Sequence, residues 1–379
     1  MLIVHVITGL DVGGAELMLK RLVESHSGNA NYRHVIISLT GIGKVGQQLQ
    51  ASGIEVRALG MRSAIDIPRV IWRLVRLIRT SRSDVVQTWM YHADLLGGLA
   101  AHMAGNPHVI WGIRTTDISA GGSLTTAIVR RFCARLSRWV PSAIVCAAEA
   151  SRQSHIAVGY DATKMVVIPN GYNFAWLNAS LEERQSLREQ CGINQNEVVL
   201  GSLGRFHADK DQENFVRSAA LLAPQYPQLR FLMVGRGLDW ANAQLADWIV
   251  STGFESRFVL LGERKDVPQC LATMDIFCLH SRTEGFPNVL AEAMAMGLPC
   301  ITTDVGDAAI LLADTGVVVP QGDSAVLAQG VKRLLAFDQD ARHALGRRAK
   351  ALVEAKFSIA RARERFEEIY RQVLNKGVL

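Results

Sequence analysis

The sequence predicts an α/β protein of two doubly wound domains, and three observations predict it. In the first half, β-branched runs at 2–8, 33–39, 54–58, 84–88, 108–113, 143–146 and 165–168 alternate with longer helical patterns. Such alternation implies a mostly parallel sheet covered on both faces. The pattern then restarts at Val198-Val-Leu-Gly-Ser-Leu-Gly. It continues through Phe231-Leu-Met-Val-Gly, Phe258-Val-Leu-Leu-Gly, Ile276-Phe-Cys-Leu and Cys300-Ile-Thr-Thr. A polar, strand-poor stretch at 173–196 separates the two series, and 379 residues exceed what one core usually serves. The expected layout is a first domain over 1–170, a second over 171–358, and a C-terminal helix over 359–379 that crosses back to the first. A cleft is expected between the domains. Residues 323–376 read as helical and charged.

Composition narrows the class. Apolar residues make up 49% of the chain and charged ones 20%, which suits a globular protein rather than a disordered or fibrous one. The chain opens on a strand with no basic leader pattern, and no apolar run is long enough to span a bilayer. A cytoplasmic protein is therefore expected. The six cysteines are scattered without a C-x-x-C pair and read as small buried hydrophobes in a reducing compartment. The net charge of +6 is uneven: residues 1–168 hold 18 Lys and Arg against 10 Asp and Glu. An anionic membrane surface, an anionic acceptor or nucleic acid would each answer that excess. No aromatic-plus-basic recognition motif accompanies it, so nucleic acid is not expected as a partner.

Ligands of open parallel sheets sit at the carboxyl ends of strands, and the suggestive residues fall there. Glu284 and Glu292 lie eight positions apart where a loop becomes a helix, with Gly285 and Pro287 between them and Gly297 and Pro299 closing the helix. The free amides of that helix start suit a phosphate, and a carboxylate on each side suits hydroxyls at both ends of one ligand. A nucleotide sugar has that layout. Arg205 and Lys210 follow the first strand of the second domain. Cations at a helix start oppose its dipole, so a diphosphate would explain them; a solvated loop paired with Asp209 and Asp211 would as well. Gly13 and Gly14 open the first helix, as a close approach to an anion or as a tight turn. Asp209-Lys-Asp211 and Asp338-Gln-Asp340 match D-x-D by chance-level spacing, and no metal cluster stands out.

Taken in order, these motifs resemble the E-x7-E family of retaining glycosyltransferases with the GT-B fold (family 4-like, group 1). The resemblance rests on Gly13-Gly-Ala-Glu, Val166-Val-Ile-Pro-Asn-Gly171, Leu203-Gly-Arg-Phe with Lys210, and Met233-Val-Gly-Arg-Gly237. It continues through Leu261-Gly with Asp266-Val-Pro, Glu284-Gly-Phe-Pro-Asn with Glu292, and Thr303-Asp-Val-Gly306. It implies two Rossmann-like domains, acceptor on the first and nucleotide sugar on the second. It also implies transfer of a hexose or N-acetylhexosamine, with UDP as the expected nucleotide, to a lipid-linked or polysaccharide acceptor in bacterial surface-glycan synthesis. No cofactor and no metal are implied, and the leaving diphosphate would help deprotonate the acceptor on the same face of the sugar.

The resemblance also distributes roles. Glu284 would contact the donor sugar, Glu292 the ribose, and Arg205 and Lys210 the diphosphate, with the amides of Asn288, Val289 and Leu290. Gly235, Gly237 and Arg264 would lie near the base, while Gly13 and Gly14 would approach phosphates or acceptor. Arg114 stands where many members carry a histidine, which suggests an acid or phosphate partner; His92 is the nearest other acceptor-side candidate. Asn173 and Asp307 also depart from the usual pattern.

Other classes stay open from the residues. An epimerase on the same fold would act on the nucleotide sugar without an acceptor. A non-catalytic nucleotide-sugar sensor would use the same pocket. A dinucleotide dehydrogenase is not expected, since no G-x-G-x-x-G follows the first strand. Finally, Pro68–Arg79 sets Arg69, Arg73 and Arg76 opposite Val70, Leu74, Leu77 and Ile78 at helical spacing. Residues 128–140 repeat this, with Arg130, Arg131, Arg135 and Arg138 opposite Ile128, Phe132, Leu136 and Trp139. Each stripe suits either packing on the sheet or lying on an anionic membrane.

Overall fold

A computed structural model describes residues 1–115 and 124–375. The chain divides into two compact units. One comprises Met1–Tyr172 with the segment from Phe357 onward, and the other Asn173–Lys356.

The first unit is built on a parallel sheet of β1 (Leu2–Ile7), β2 (Arg33–Ser38), β3 (Glu55–Ala58), β4 (Val85–Trp89), β5 (Val109–Ile113), β6 (Ala143–Cys146) and β7 (Met165–Val167). Their order is β3-β2-β1-β4-β5-β6-β7. All of β4 and β5 is buried, as strands covered on both faces require. On one face, helices Ile67–Ser81 and Tyr91–Met103 pack through Val70, Leu74, Ile78, Ala93 and Ala100. On the other, Gly14–Glu24 packs through Met18 and Leu22, and Ile359–Asn375 through Phe366, Tyr370 and Val373. That last helix belongs to this unit although it closes the chain. Tyr172 donates to Phe357 O and accepts from the amide of Ile359, and Tyr370 Oη donates to Gln87 Oε1.

The second unit repeats the plan with β8 (Val198–Leu203), β9 (Leu229–Val234), β10 (Phe258–Leu260), β11 (Ile276–Leu279), β12 (Cys300–Thr303) and β13 (Gly316–Val319). The order is β10-β9-β8-β11-β12-β13. β13 lies outside the expected strand series: Gly316-Val-Val-Val is only four residues long and sits on the sheet edge beside β12. Within the polar stretch before β8, a helix forms at Leu181–Gln190. Its capping box joins Ser180 and Glu183, each side chain taking the other's backbone amide.

The two basic stripes fold differently. Helix Ile67–Ser81 buries Val70, Leu74 and Ile78, as the pattern requires. The second helix, Leu124–Leu136, stops before Trp139 and buries Cys133 and Ala134 instead. Ile128, Phe132 and Trp139, expected either on the sheet or on a membrane surface, are exposed, Trp139 at 70%. Among the described residues, no helix is long and apolar enough to cross a membrane. All six cysteines are free, and five are buried.

Candidate active site

In each sheet the strand order reverses beside its first strand, between β1 and β4 and between β8 and β11. Connections depart to opposite faces there, which opens a crevice at the carboxyl ends. In the second unit, Gly204–Lys210 follows β8 and His280–Glu284 follows β11, so the two candidate loops meet at the reversal. Lys210 Nζ lies 2.5 Å from Glu284 Oε1, and Ser281 Oγ donates to the same oxygen at 2.7 Å. The pair is partly shielded, with side chains 25% and 11% exposed. Arg205 is exposed and makes no ion pair among the described residues.

A second loop supports Glu284 from behind. Thr303 Oγ1 donates to Ser281 O at 2.7 Å, and the amide of Asp307 donates to Gly285 O at 2.9 Å. Gly306 has φ +54, and a Cβ there would collide with the carbonyls of Glu284 and Gly285. Only glycine tolerates both demands. Facing it, the turn Ala208–Lys210 ends on Asp211 at φ +53. The amide of Arg282 donates to Asp209 O at 2.7 Å, and its guanidinium grips Asp211 at 3.0 Å.

The helix after Glu284 spans Asn288–Ala295 and carries Glu292 one turn in. Pro287 caps it rather than lying within its first turn. The amide of Leu290 donates to Pro287 O at 3.1 Å, so of the three amides assigned to the diphosphate this one is already engaged. Gly235 has φ +146, and a Cβ there would strike the Gly204 carbonyl; its amide donates to Gly262 O at 2.7 Å. Gly237, at φ +75, lies against Phe206. Arg264 is held by Asp266 through two contacts, at 2.8 and 2.5 Å, and lines a groove with Glu182, Glu183 and Gln190. That bidentate pairing holds its guanidinium against Asp266.

In the first unit, Gly13 caps helix Gly14–Glu24, and the Glu16 carboxylate folds back over it. Burial raises the Glu16 pKa. His92 is the second residue of its helix, beside Met90 at φ +74, and burial lowers its pKa. Arg114, expected among the acceptor-side residues, is held within the first unit. Its guanidinium lies against both Trp89 (5.0 Å) and Phe366 (5.5 Å), whose rings also touch each other, and donates to Ile168 O and Asn170 Oδ1. Burial pushes its pKa down to about 10. An arginine is long enough to reach under the sheet end, where a flat guanidinium can lie against two rings.

Asp211 serves Arg282, and Asp338 caps its own helix through the amide of Ala341. Among the described residues, no group of three or more His, Cys, Asp or Glu is placed to hold a metal. His280 is the site-forming residue that sequence reasoning passed over. It reads as one polar residue ending an apolar strand, and nothing in the local pattern points to its partners.

Two family models match the chain: Glycosyltransferase Family 4 over residues 12–176, and Glycosyl transferases group 1 over residues 197–336. Together they cover most of it, one in each unit.

The chain belongs to the group 1, family 4 glycosyltransferases.

Its relatives in the family include the UDP-Gal:alpha-D-GlcNAc-diphosphoundecaprenol alpha-1,3-galactosyltransferase of Escherichia coli. That match is 26% identical and covers 61% of this chain and 60% of the relative. The N-acetyl-alpha-D-glucosaminyl L-malate synthase of Bacillus anthracis is 30% identical over 50% of this chain and 49% of its own. The chain thus spans half to three-fifths of the first curated relatives it matches. The capsular polysaccharide glycosyltransferase CapM of Staphylococcus aureus is 24% identical over 80% of this chain and 81% of its own. Among solved structures, Anabaena Alr3699/HepE in complex with UDP superposes with a TM-score of 0.85 at 23% identity, covering 98% of this chain and all of that one. The fold is therefore the family's GT-B fold, two Rossmann-like domains.

Proposed function

We propose that the protein is a retaining, metal-independent glycosyltransferase. It moves a hexose or N-acetylhexosamine from a nucleotide sugar, with UDP as the expected nucleotide, to a lipid-linked or polysaccharide acceptor of a bacterial surface glycan. The observation that carries this is the convergence of Lys210, Ser281 and Glu284 at the strand-order reversal of the second unit. A cation there favours a diphosphate and its departure, and a carboxylate within reach favours the hydroxyls of the attached sugar. Arg205 adds a second cation, and Glu292 offers a carboxylate one turn into the following helix. The family, and relatives named for galactosyl transfer and capsule synthesis, support the substrate class.

The first unit would receive the acceptor near Gly13, Gly14 and His92. Its exposed Trp72, Phe132 and Trp139 lie among Arg73, Arg76, Arg131, Arg135 and Arg138, which favours peripheral contact with an anionic membrane surface. The test is a panel of UDP- and GDP-sugars supplied with a polyprenyl-diphosphate sugar acceptor, with and without EDTA. Acceptor-dependent, EDTA-resistant transfer with the anomeric configuration kept is expected. Conversion of a nucleotide sugar without any acceptor would replace this reading with an epimerase. Sedimentation with phosphatidylglycerol vesicles, but not phosphatidylcholine vesicles, is the expected membrane result.

A further inference from the structure

We propose that His280 is a positioning residue that holds the Lys210 peptide in register with Glu284, and thereby sets the grip on a nucleoside diphosphate. This rests on the donor site proposed for the second unit. His280 directly follows β11 and is 3% exposed. Both ring nitrogens are engaged: Nδ1 lies 2.5 Å from Lys210 O, and Nε2 lies 2.6 Å from Ser202 Oγ at the end of β8. A carbonyl only accepts, so Nδ1 carries the hydrogen. Burial pushes the pKa down to about 4, so at neutral pH the ring has one proton, and Nε2 accepts from the Ser202 hydroxyl. Each nitrogen is thus committed, and the imidazole acts as a strut rather than as a base.

The strut is needed because Lys210 ends a turn of three residues that has little structure of its own. Arg282 ties the flanking residues, through the carbonyl of Asp209 and the carboxylate of Asp211. His280 ties the peptide of residue 210 itself. Phe215 packs on the imidazole with ring centroids 5.0 Å apart, which holds its plane. Four residues beyond His280 comes Glu284, so one short segment positions both ends of the Lys210–Glu284 pair. Without the tie, the Lys210 peptide keeps only the turn's own bonds, from its amide to His207 O and from the Asp211 amide to Ala208 O, and the cation's distance to the carboxylate is less firmly set. Preorganisation of this kind sets affinity without touching the ligand.

Two variants of the full chain separate this role from a general contribution to folding. In His280→Asn, the amide falls where Nδ1 was and keeps the bond to Lys210 O. In His280→Gln, it falls where Nε2 was and keeps only Ser202. UDP, and GDP in parallel, are titrated calorimetrically into each folded protein, and thermal melts are recorded alongside. His280→Gln should weaken binding about tenfold, the equivalent of one lost hydrogen bond, while His280→Asn stays within about threefold of wild type. Equal binding by wild type and His280→Gln overturns the inference, whatever the melts show. Binding weakened alike in both variants also overturns it. If wild type binds neither nucleotide, the donor-site reading falls first and the inference falls with it.

Discussion

The two strand-order reversals have the same topology and opposite construction. At β8/β11, polar side chains and backbone stitch three loops together: His280 to Lys210 and Ser202, Arg282 to Asp209 and Asp211, and Thr303 to Ser281. At β1/β4, apolar and aromatic packing dominates. Trp89 is fully buried, Arg114 is clamped against it, and Glu16 folds over Gly13. The first arrangement is preassembled around a cation and a carboxylate. The second is built around a buried ring and the guanidinium against it. A diphosphate group demands fixed charges, whereas acceptors differ in shape, and the two constructions suit those two demands.

The largest effect should come from breaking the stitched side. Glu284→Ala and Lys210→Ala are each expected to lower sugar transfer by about a hundredfold or more, as loss of a transition-state contact does. The measurement is the initial rate with the donor that the panel identifies. Normal transfer by Glu284→Ala would remove the carboxylate from the mechanism and erase the contrast.

Next is Gly235→Val. A side chain there meets the Gly204 carbonyl, and φ +146 is hostile to any Cβ. The cost should be about 3 kcal/mol or more, read as a lower midpoint in urea. An unchanged midpoint would show that the β8 and β9 loops are not in close backbone contact.

Acid should sharpen the comparison by attacking the first unit before the second. His5, His26, His34 and His155 in the first unit all have lowered pKa values through burial, His34 to about 3 and His155 to about 4. The second unit has His280 at about 4. A histidine whose folded pKa is depressed contributes stability that is complete above its unfolded value of about 6.5 and is lost as pH falls toward the folded value. Asp94, raised to about 7 by burial, acts in the opposite sense: its contribution is present in acid and is lost as pH rises through 7. Hydrogen exchange between pH 7 and 4 should therefore show β1 and β2 losing protection before β8 and β11. Simultaneous loss would count against the assignment of the acid-sensitive groups.

Arg114→Ala is the smallest and most discriminating. Removing a side chain packed on Trp89 and Phe366 should cost about 2 kcal/mol while UDP affinity stays unchanged. Unchanged stability with lost transfer would return Arg114 to the acceptor site and make the two reversals more alike.

Much of this was legible in the chain. Alternating strands and helices declare two parallel sheets because β-branched runs and amphipathic periods are local properties. β13 escaped because Gly316-Val-Val-Val is short and edge-placed. Glu284, Glu292, Arg205 and Lys210 were visible because loops at strand ends punctuate the pattern with glycine and charge. Periodicity left the stripe Ile128, Phe132 and Trp139 open between packing and a membrane face because it cannot say where a helix stops. This one ends at Leu136, and Cys133 and Ala134 face inward.

By itself the sequence determined the two-unit α/β plan, the residues that punctuate each strand end, and the uneven charge. Those follow from local preference and order along the chain. Tertiary structure alone decided direction and partnership. It turned Arg114 beneath Phe366, a residue 252 positions later. It also gave His280 its work, through Lys210 and Ser202, 70 and 78 positions away in the chain. The reason is physical: a hydrogen bond depends on ångströms and angles, and only the folded sheet brings those residues within range.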